Sequence, residues 1–173
     1  MSTPRWHTRE DSGLRVDRTG RWWHDDALVE HPNIIEAFNR GLRVNDDGRY
    51  ELHFGNDWCF VTIEHCAFTV VAVDEAEGER LSVRLSDRTA EWLDLESLSQ
   101  DDEGVLVAKV KGGKALARFS REAQFQLAER FEEVNGGLVV KVGQKQIPVS
   151  LSPKRAEPPG ATALGGETGR GEE

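Results

Sequence analysis

Leu14 and Val16 stand between polar neighbours, and "DRTG" supplies turn residues before "RWWH", which predicts a β-hairpin over 14–24. Ile34, Ile35, Phe38 and Leu42 then follow the helical repeat. Pro32 suits the first helical position, because its missing N–H would find no partner there. The spacing predicts a short helix from His31-Pro32 to about Gly41. "NDDG" turns the chain into "RYELHF", with Tyr50, Leu52 and Phe54 on one face, and "GND" turns it back into "WCFVTIE". "AFTVVAVD" is apolar on both faces, as an interior strand is. "RLSVRL" alternates with Leu81, Val83 and Leu85 inward, whereas "AEWLDLESL" keeps no single period and is left unassigned within 86–104. "VLVAKV" and "KALARF" read as a hairpin around Gly112-Gly113. Ser120 is placed to cap a helix over 121–134 whose buried stripe is Ala123, Leu127, Phe131 and Val134. Asn135-Gly136-Gly137 ends that helix, and "LVVKVGQKQIPVSL" closes as a last hairpin.

The order of hairpin, helix, Gly-containing turn and hairpin occurs over 14–64 and again over 105–151. The expected fold is therefore α+β, with two similar ββαββ-type halves arising from an internal duplication. Units of about fifty residues are marginal alone. The halves are expected to pack together, and the crevice between them is the natural ligand site. The expected organisation is a disordered start over 1–12, an N-terminal α+β subdomain over 13–73, a C-terminal α+β subdomain over 74–151, and a Pro-, Gly- and Glu-rich disordered tail over 152–173.

The 173 residues carry a net charge of −9, unevenly spread. Residues 74–103 hold eleven acidic and three basic side chains; residues 104–151 hold four acidic and eight basic. An acidic chain is a poor binder of bulk DNA or of anionic membrane, because both need clustered Lys and Arg. No apolar run approaches the roughly 18 residues that span a bilayer, and "MSTPRWHTREDSG" lacks the apolar core of a secretory signal. The expected location is the cytoplasm. Cys59 and Cys66 are accordingly expected to be reduced thiols.

"GRWWHDD" concentrates candidate chemistry. On a strand Trp22 and Trp23 point to opposite faces, and His24 shares the face of Trp22. One tryptophan belongs to the core, and the other is free to line a groove. Asp25-Asp26 favours a turn, because short carboxylates bond nearby N–H groups. A metal site would need His24, Asp26 and His31 to converge without any recognisable ligand spacing, so neither a metal nor another cofactor is expected. No nucleophile elbow and no Walker-type phosphate loop is present. The chain reads as a binding module rather than an enzyme. The strongest lead is Lys109, Lys111, Lys114, Arg118 and Arg121, a stretch with no acid from Val105 through Arg121. Lys111, Lys114, Arg118 and Arg121 are candidate ligands for a phosphate-bearing molecule, as Trp22, Trp23 and His24 are for its remainder. The bland reading is a charged hairpin edge that blocks aggregation.

"DRTGRWWHDDALVEHPNIIEAFNRGL", "DDGRYELHFGNDWCFVTIEHCAF" and "VKGGKALARFSREAQFQLAE" together resemble the bacterial domain-of-unknown-function family 1285 over most of 14–151. The chain departs from the family pattern at "EHCAF", which lacks an expected proline, and at Gln124-Phe125, where paired tyrosines are expected. The resemblance implies an α+β fold with a duplicated core and a C-terminal half superficially like a pleckstrin-homology fold. It also implies a groove suited to a nucleotide-like ligand and a role in signal transduction, with no assigned enzyme activity. The alternative is a protein–protein interaction module that uses the acidic 74–103 segment and takes no small ligand.

Overall fold

The computed structural model describes residues 7–75 and 78–151, so the disorder expected for 1–6 and 152–173 lies outside the described residues. From the N-terminus run β1 (Leu14–Val16), β2 (Trp22–His24), β3 (Ala27–Leu28), α1 (Pro32–Gly41), β4 (Leu42–Val44), β5 (Tyr50–Phe54) and β6 (Asp57–Ile63). They form a six-stranded sheet ordered β3-β2-β1-β6-β5-β4, antiparallel except where β1 meets β6. Then follow β7 (Phe68–Glu75), β8 (Leu81–Leu85), β9 (Ala90–Trp92), a 3-10 turn (Leu95–Ser97), β10 (Ser99–Gln100), β11 (Leu106–Val110), β12 (Ala115–Phe119) and α2 (Arg121–Ala128). The chain ends with β13 (Phe131–Val134), β14 (Gly137–Val142), β15 (Lys145–Pro148) and β16 (Ser150–Leu151). A seven-stranded sheet has the order β16-β10-β11-β12-β7-β8-β9, and β13-β14-β15 is a third sheet. The described fold is α+β, with two α-helices and three sheets.

Most elements lie where the period places them. Pro32 opens α1, and Leu81, Val83 and Leu85 of β8 are all buried. β7 is flanked on both sides, by β12 and β8, as its two apolar faces require. Hairpin, helix and three-strand meander follow one another in each half, but they pair differently. The first meander joins its hairpin through β1–β6; in the second half β12 pairs in parallel with β7, and the meander stands as a separate sheet.

Two expectations are corrected. α2 stops at Ala128, and Phe131–Val134 is β13 rather than the helix's last turn. Asn135 and Gly136 have φ of 52° and 77°, the conformation of a tight hairpin turn that Asn-Gly favours. An i, i+3 apolar pair such as Phe131 and Val134 fits either element, and the turn decides. Residues 7–12 are not a free start: Phe60 N–H donates to the Arg9 carbonyl at 2.9 Å, and Ser12 Oγ donates to the Phe60 carbonyl at 2.6 Å. They lie along β6 as a strap.

α1 lies against β5, and α2 lies against β7 and β12. The buried side chains of all three sheets form one cluster, from Val16, Trp22 and Leu52 through Val70 and Val83 to Leu127 and Val140. The unassigned 86–104 stretch supplies Leu93, Leu95 and Leu98 to it, at spacings of two and three. That irregular spacing is why no period was visible.

Candidate functional site

The two tryptophans divide as alternation requires. Trp22 is buried opposite Val16, stacks edge-on against Phe38 at 5.1 Å, and donates Nε1–H to Asn39 Oδ1 at 2.8 Å. It is core, with its one polar group satisfied. Trp23 lies on the other face under the guanidinium of Arg15, 4.6 Å from the ring centre, and donates Nε1–H to Asp17 Oδ2 at 2.8 Å. His24 is exposed at the end of β2.

The basic residues do not converge. Arg118 reaches the other half, where Nη1 donates to the Arg18 carbonyl at 3.1 Å. Arg121, at the start of α2, borders a different cavity with Phe125, Phe131 and Leu138. Lys111 and Lys114 remain together. They border a crevice of about 430 Å³ between the end of α1 with β4 and the 87–89 and 111–114 turns.

That crevice gathers four cations from both halves: Arg40, Arg43, Lys111 and Lys114. Leu42, Val44 and Phe68 form its apolar floor. Lys111 Nζ donates to Asp87 Oδ2 and to Thr89 Oγ1, each at 2.6 Å, and sits 5.0 Å from the Phe68 ring centre. The Asp87 side chain is 4% exposed. Burial alone would raise its pKa, but Lys111 and Thr89 outweigh this and hold the carboxyl below its ordinary value. Lys114 pairs with the exposed Asp46 at 2.6 Å. Arg43 Nη1 donates to the carbonyls of Arg40 and Leu42 at 2.7 and 3.0 Å, which fixes its guanidinium at the rim. The Arg40 side chain makes no hydrogen bond or ion pair among the described residues. Of the four cations only Arg40 has no oxygen partner among the described residues; an anion bound here would compete with Asp87, Thr89, Asp46 and the two carbonyls for the other three.

Sequence reading missed Arg40, Arg43, Asp87 and Thr89. The two arginines, three apart at a helix end, were a visible cationic pair, but nothing in the sequence joined them to a lysine about seventy positions away. It also missed His7. His24, Asp26 and His31 are not the trio that the fold assembles. The ligand atoms of His7, His24 and Asp25 lie within 4.8 Å of one another, with His7 Nε2 3.2 Å from Asp25 Oδ2.

Neither Cys59 nor Cys66 is in a disulfide, and burial pushes the Cys66 thiol up to about 12. No helix among the described residues is long and apolar enough to cross a membrane.

No protein-family model matches the chain, and no curated protein sequence matches it significantly. Solved structures do. A DUF1285 family protein from Silicibacter pomeroyi superposes with a TM-score of 0.58 at 16% identity, covering 80% of this chain and 79% of the other. A DUF1285 family protein from Shewanella baltica superposes with a TM-score of 0.52 at 17% identity, covering 70% of this chain and 94% of the other. With its sheets, helices and inter-half crevice in view, the chain has the fold of DUF1285 family proteins.

Proposed function

We propose that the chain is a divergent DUF1285 family protein acting in the bacterial cytoplasm as a non-enzymatic binding module, and that it holds a small anionic, nucleotide-like ligand in the crevice between its halves as part of a signalling function. The observation that carries this reading is the meeting of Arg40, Arg43, Lys111 and Lys114 around a cavity with an apolar floor. A volume of about 430 Å³ falls in the range of small-molecule sites, roughly 300–1,000 Å³. Phosphate oxygens would replace the Asp46 carboxylate at Lys114 and engage the free Arg40, while the floor takes an apolar or aromatic group. The proposal includes descent of both halves from one ββαββ unit, with a pleckstrin-homology-like second half. The shared order of hairpin, helix and meander supports it.

The alternative of an acidic docking surface over 74–103 has less support. Asp74 pairs with Arg84, Glu75 with Arg130, Glu79 with Lys145 and Asp87 with Lys111, so four of its eleven acidic side chains are already paired within the chain.

A thermal-shift screen of nucleotides, phosphorylated metabolites and inorganic phosphate tests the proposal, because a ligand that binds only the folded state raises Tm. The expected result is a rise with a phosphorylated compound that is lost in the Arg40→Ala/Lys114→Ala double variant. No rise with any compound, or an equal rise in the variant, refutes it.

A further inference from the structure

The trio of His7, His24 and Asp25 lies away from the basic crevice and comes from two segments that sequence spacing does not connect. Its geometry is built by the backbone. The strap carrying His7 is fastened to β6 by the Phe60–Arg9 and Ser12–Phe60 hydrogen bonds. His24 ends β2, and Asp25 follows at φ 51°, with its N–H donating to the Gly13 carbonyl at 2.8 Å. Gly13 stands between the two segments at φ 71°. A Cβ there would lie 2.4 Å from Asp25 Oδ1 and 2.8 Å from His7 Cε1. Only glycine both adopts this backbone freely and leaves room for the carboxylate to meet the imidazole.

The His7 and His24 rings are 4.7 Å apart and tilted by 46°. Tetrahedral ligands on one zinc ion are about 3.3–3.6 Å apart, given bonds of about 2.0–2.2 Å. The His7–Asp25 separation of 3.2 Å is close to that range. The other separations in the trio, within 4.8 Å, would have to shorten on metal binding, and both imidazoles are exposed. Two imidazoles and one carboxylate suit borderline first-row ions; magnesium and calcium prefer oxygen alone. Three protein ligands leave a position open. The histidines border a cavity of about 520 Å³ whose other walls include Leu14, Val29, Phe38 and Trp58.

We propose that His7, His24 and Asp25 form a site for one divalent ion of the zinc class at the edge of this cavity.

The test uses the full, untagged chain, stripped with chelator and titrated with zinc chloride by calorimetry, with magnesium in excess as background. The expected result is one site per chain, and visible absorption of a histidine-ligated ion when cobalt(II) replaces zinc. His7→Ala, His24→Ala and Asp25→Asn should each weaken binding about ten-fold or more. Asp26→Asn and His31→Ala, outside the trio, should bind as the parent does. Asparagine is chosen at position 25 because it tolerates positive φ. If a histidine variant fails to fold, zinc-induced shifts of the imidazole nitrogens in the wild-type chain decide instead, and they must fall on His7 and His24. Absence of saturable binding, binding that either histidine variant leaves intact, or shifts on other histidines overturns the proposal.

Discussion

Asp17 organises the first turn almost alone. Its Oδ1 accepts from Thr19 N–H at 2.8 Å, Thr19 Oγ1 at 2.7 Å and Arg21 N–H at 3.0 Å; its Oδ2 accepts from Arg21 Nε at 3.1 Å and Trp23 Nε1 at 2.8 Å. Burial would raise its pKa, but these donors outweigh burial and hold the carboxyl far below its ordinary value. Asp17→Asn keeps the shape, but it loses the charge and turns one of the two acceptor oxygens into a donor. It should cost about 2–3 kcal/mol by urea denaturation at pH 7, the scale of hydrogen bonds to a charged group. Because the native pKa is depressed, the unfolded chain binds more protons at low pH. The stabilisation is full above the unfolded carboxylate pKa of about 4 and declines as pH falls below it, so the variant's stability should vary less with acid there. Gly41 gives a second residue-scale test. Helix propensity alone favours Gly41→Ala by up to about 1 kcal/mol. A Cβ there, however, would stand 2.3 Å from the His53 carbonyl oxygen, so the substitution should instead destabilise by about 1–3 kcal/mol in the same measurement.

At the scale of elements, start signals were more legible than stop signals. Ser120 Oγ accepts from Ala123 N–H at 3.1 Å, as its position before a helix implied. Ser120→Ala should lower stability by about 1 kcal/mol in thermal unfolding. The end of α2 is ambiguous in the sequence because "ERFEEV" contains apolar residues at i, i+3, and Asn135-Gly136-Gly137 serves equally as a helix stop or a hairpin turn. Gly136→Ala separates the two roles: a Cβ meets nothing within 4 Å, so any cost comes from φ alone. A loss of about 1–2 kcal/mol is expected by urea denaturation, with the largest increase in amide exchange in β13 and β14. β5 and β8 were legible because alternation under a half-buried sheet leaves little choice of face, and β7 because apolar residues on both faces mark an interior strand. Phe54 is the exception: it shares the face of Leu52 but is 61% exposed.

At the scale of the whole molecule, the crevice joins cations that do different work. Lys111 is four-fifths buried and holds the carboxylate of Asp87, so Lys111→Ala should cost about 3 kcal/mol by leaving that charge without its partner. Lys114 is half exposed and its partner Asp46 is at the surface, so Lys114→Glu should leave Tm unchanged while weakening any phosphorylated ligand found in the thermal-shift screen. Binding measured by calorimetry should also fall as salt is added, because the site is open to solvent. Of the candidates read from the sequence, Lys111 and Lys114 share the crevice; Arg118 is engaged with the Arg18 carbonyl and Arg121 borders another cavity. Helix and strand periods constrain neighbours a few positions apart, whereas Arg40 and Lys114 meet only through packing of the halves.

The sequence by itself determined what depends on short separations. It specified the alternation that sets β5 and β8, the proline that opens α1, the serine that caps α2, and the opposed faces of Trp22 and Trp23. Those features arise from local sterics and from the hydrophobic period, which a reader can apply one window at a time. Tertiary structure decided which strands pair across long intervals, and so set β1 against β6 and β12 against β7. It also chose the hairpin over the helix at Asn135-Gly136, drew residues 7–12 onto β6, and brought His7 to Asp25 and Arg40 to Lys114. The strand pairings and the choice of hairpin satisfy apolar burial and backbone hydrogen bonding over the whole chain at once, a condition that no local window contains, and the side-chain meetings follow from them.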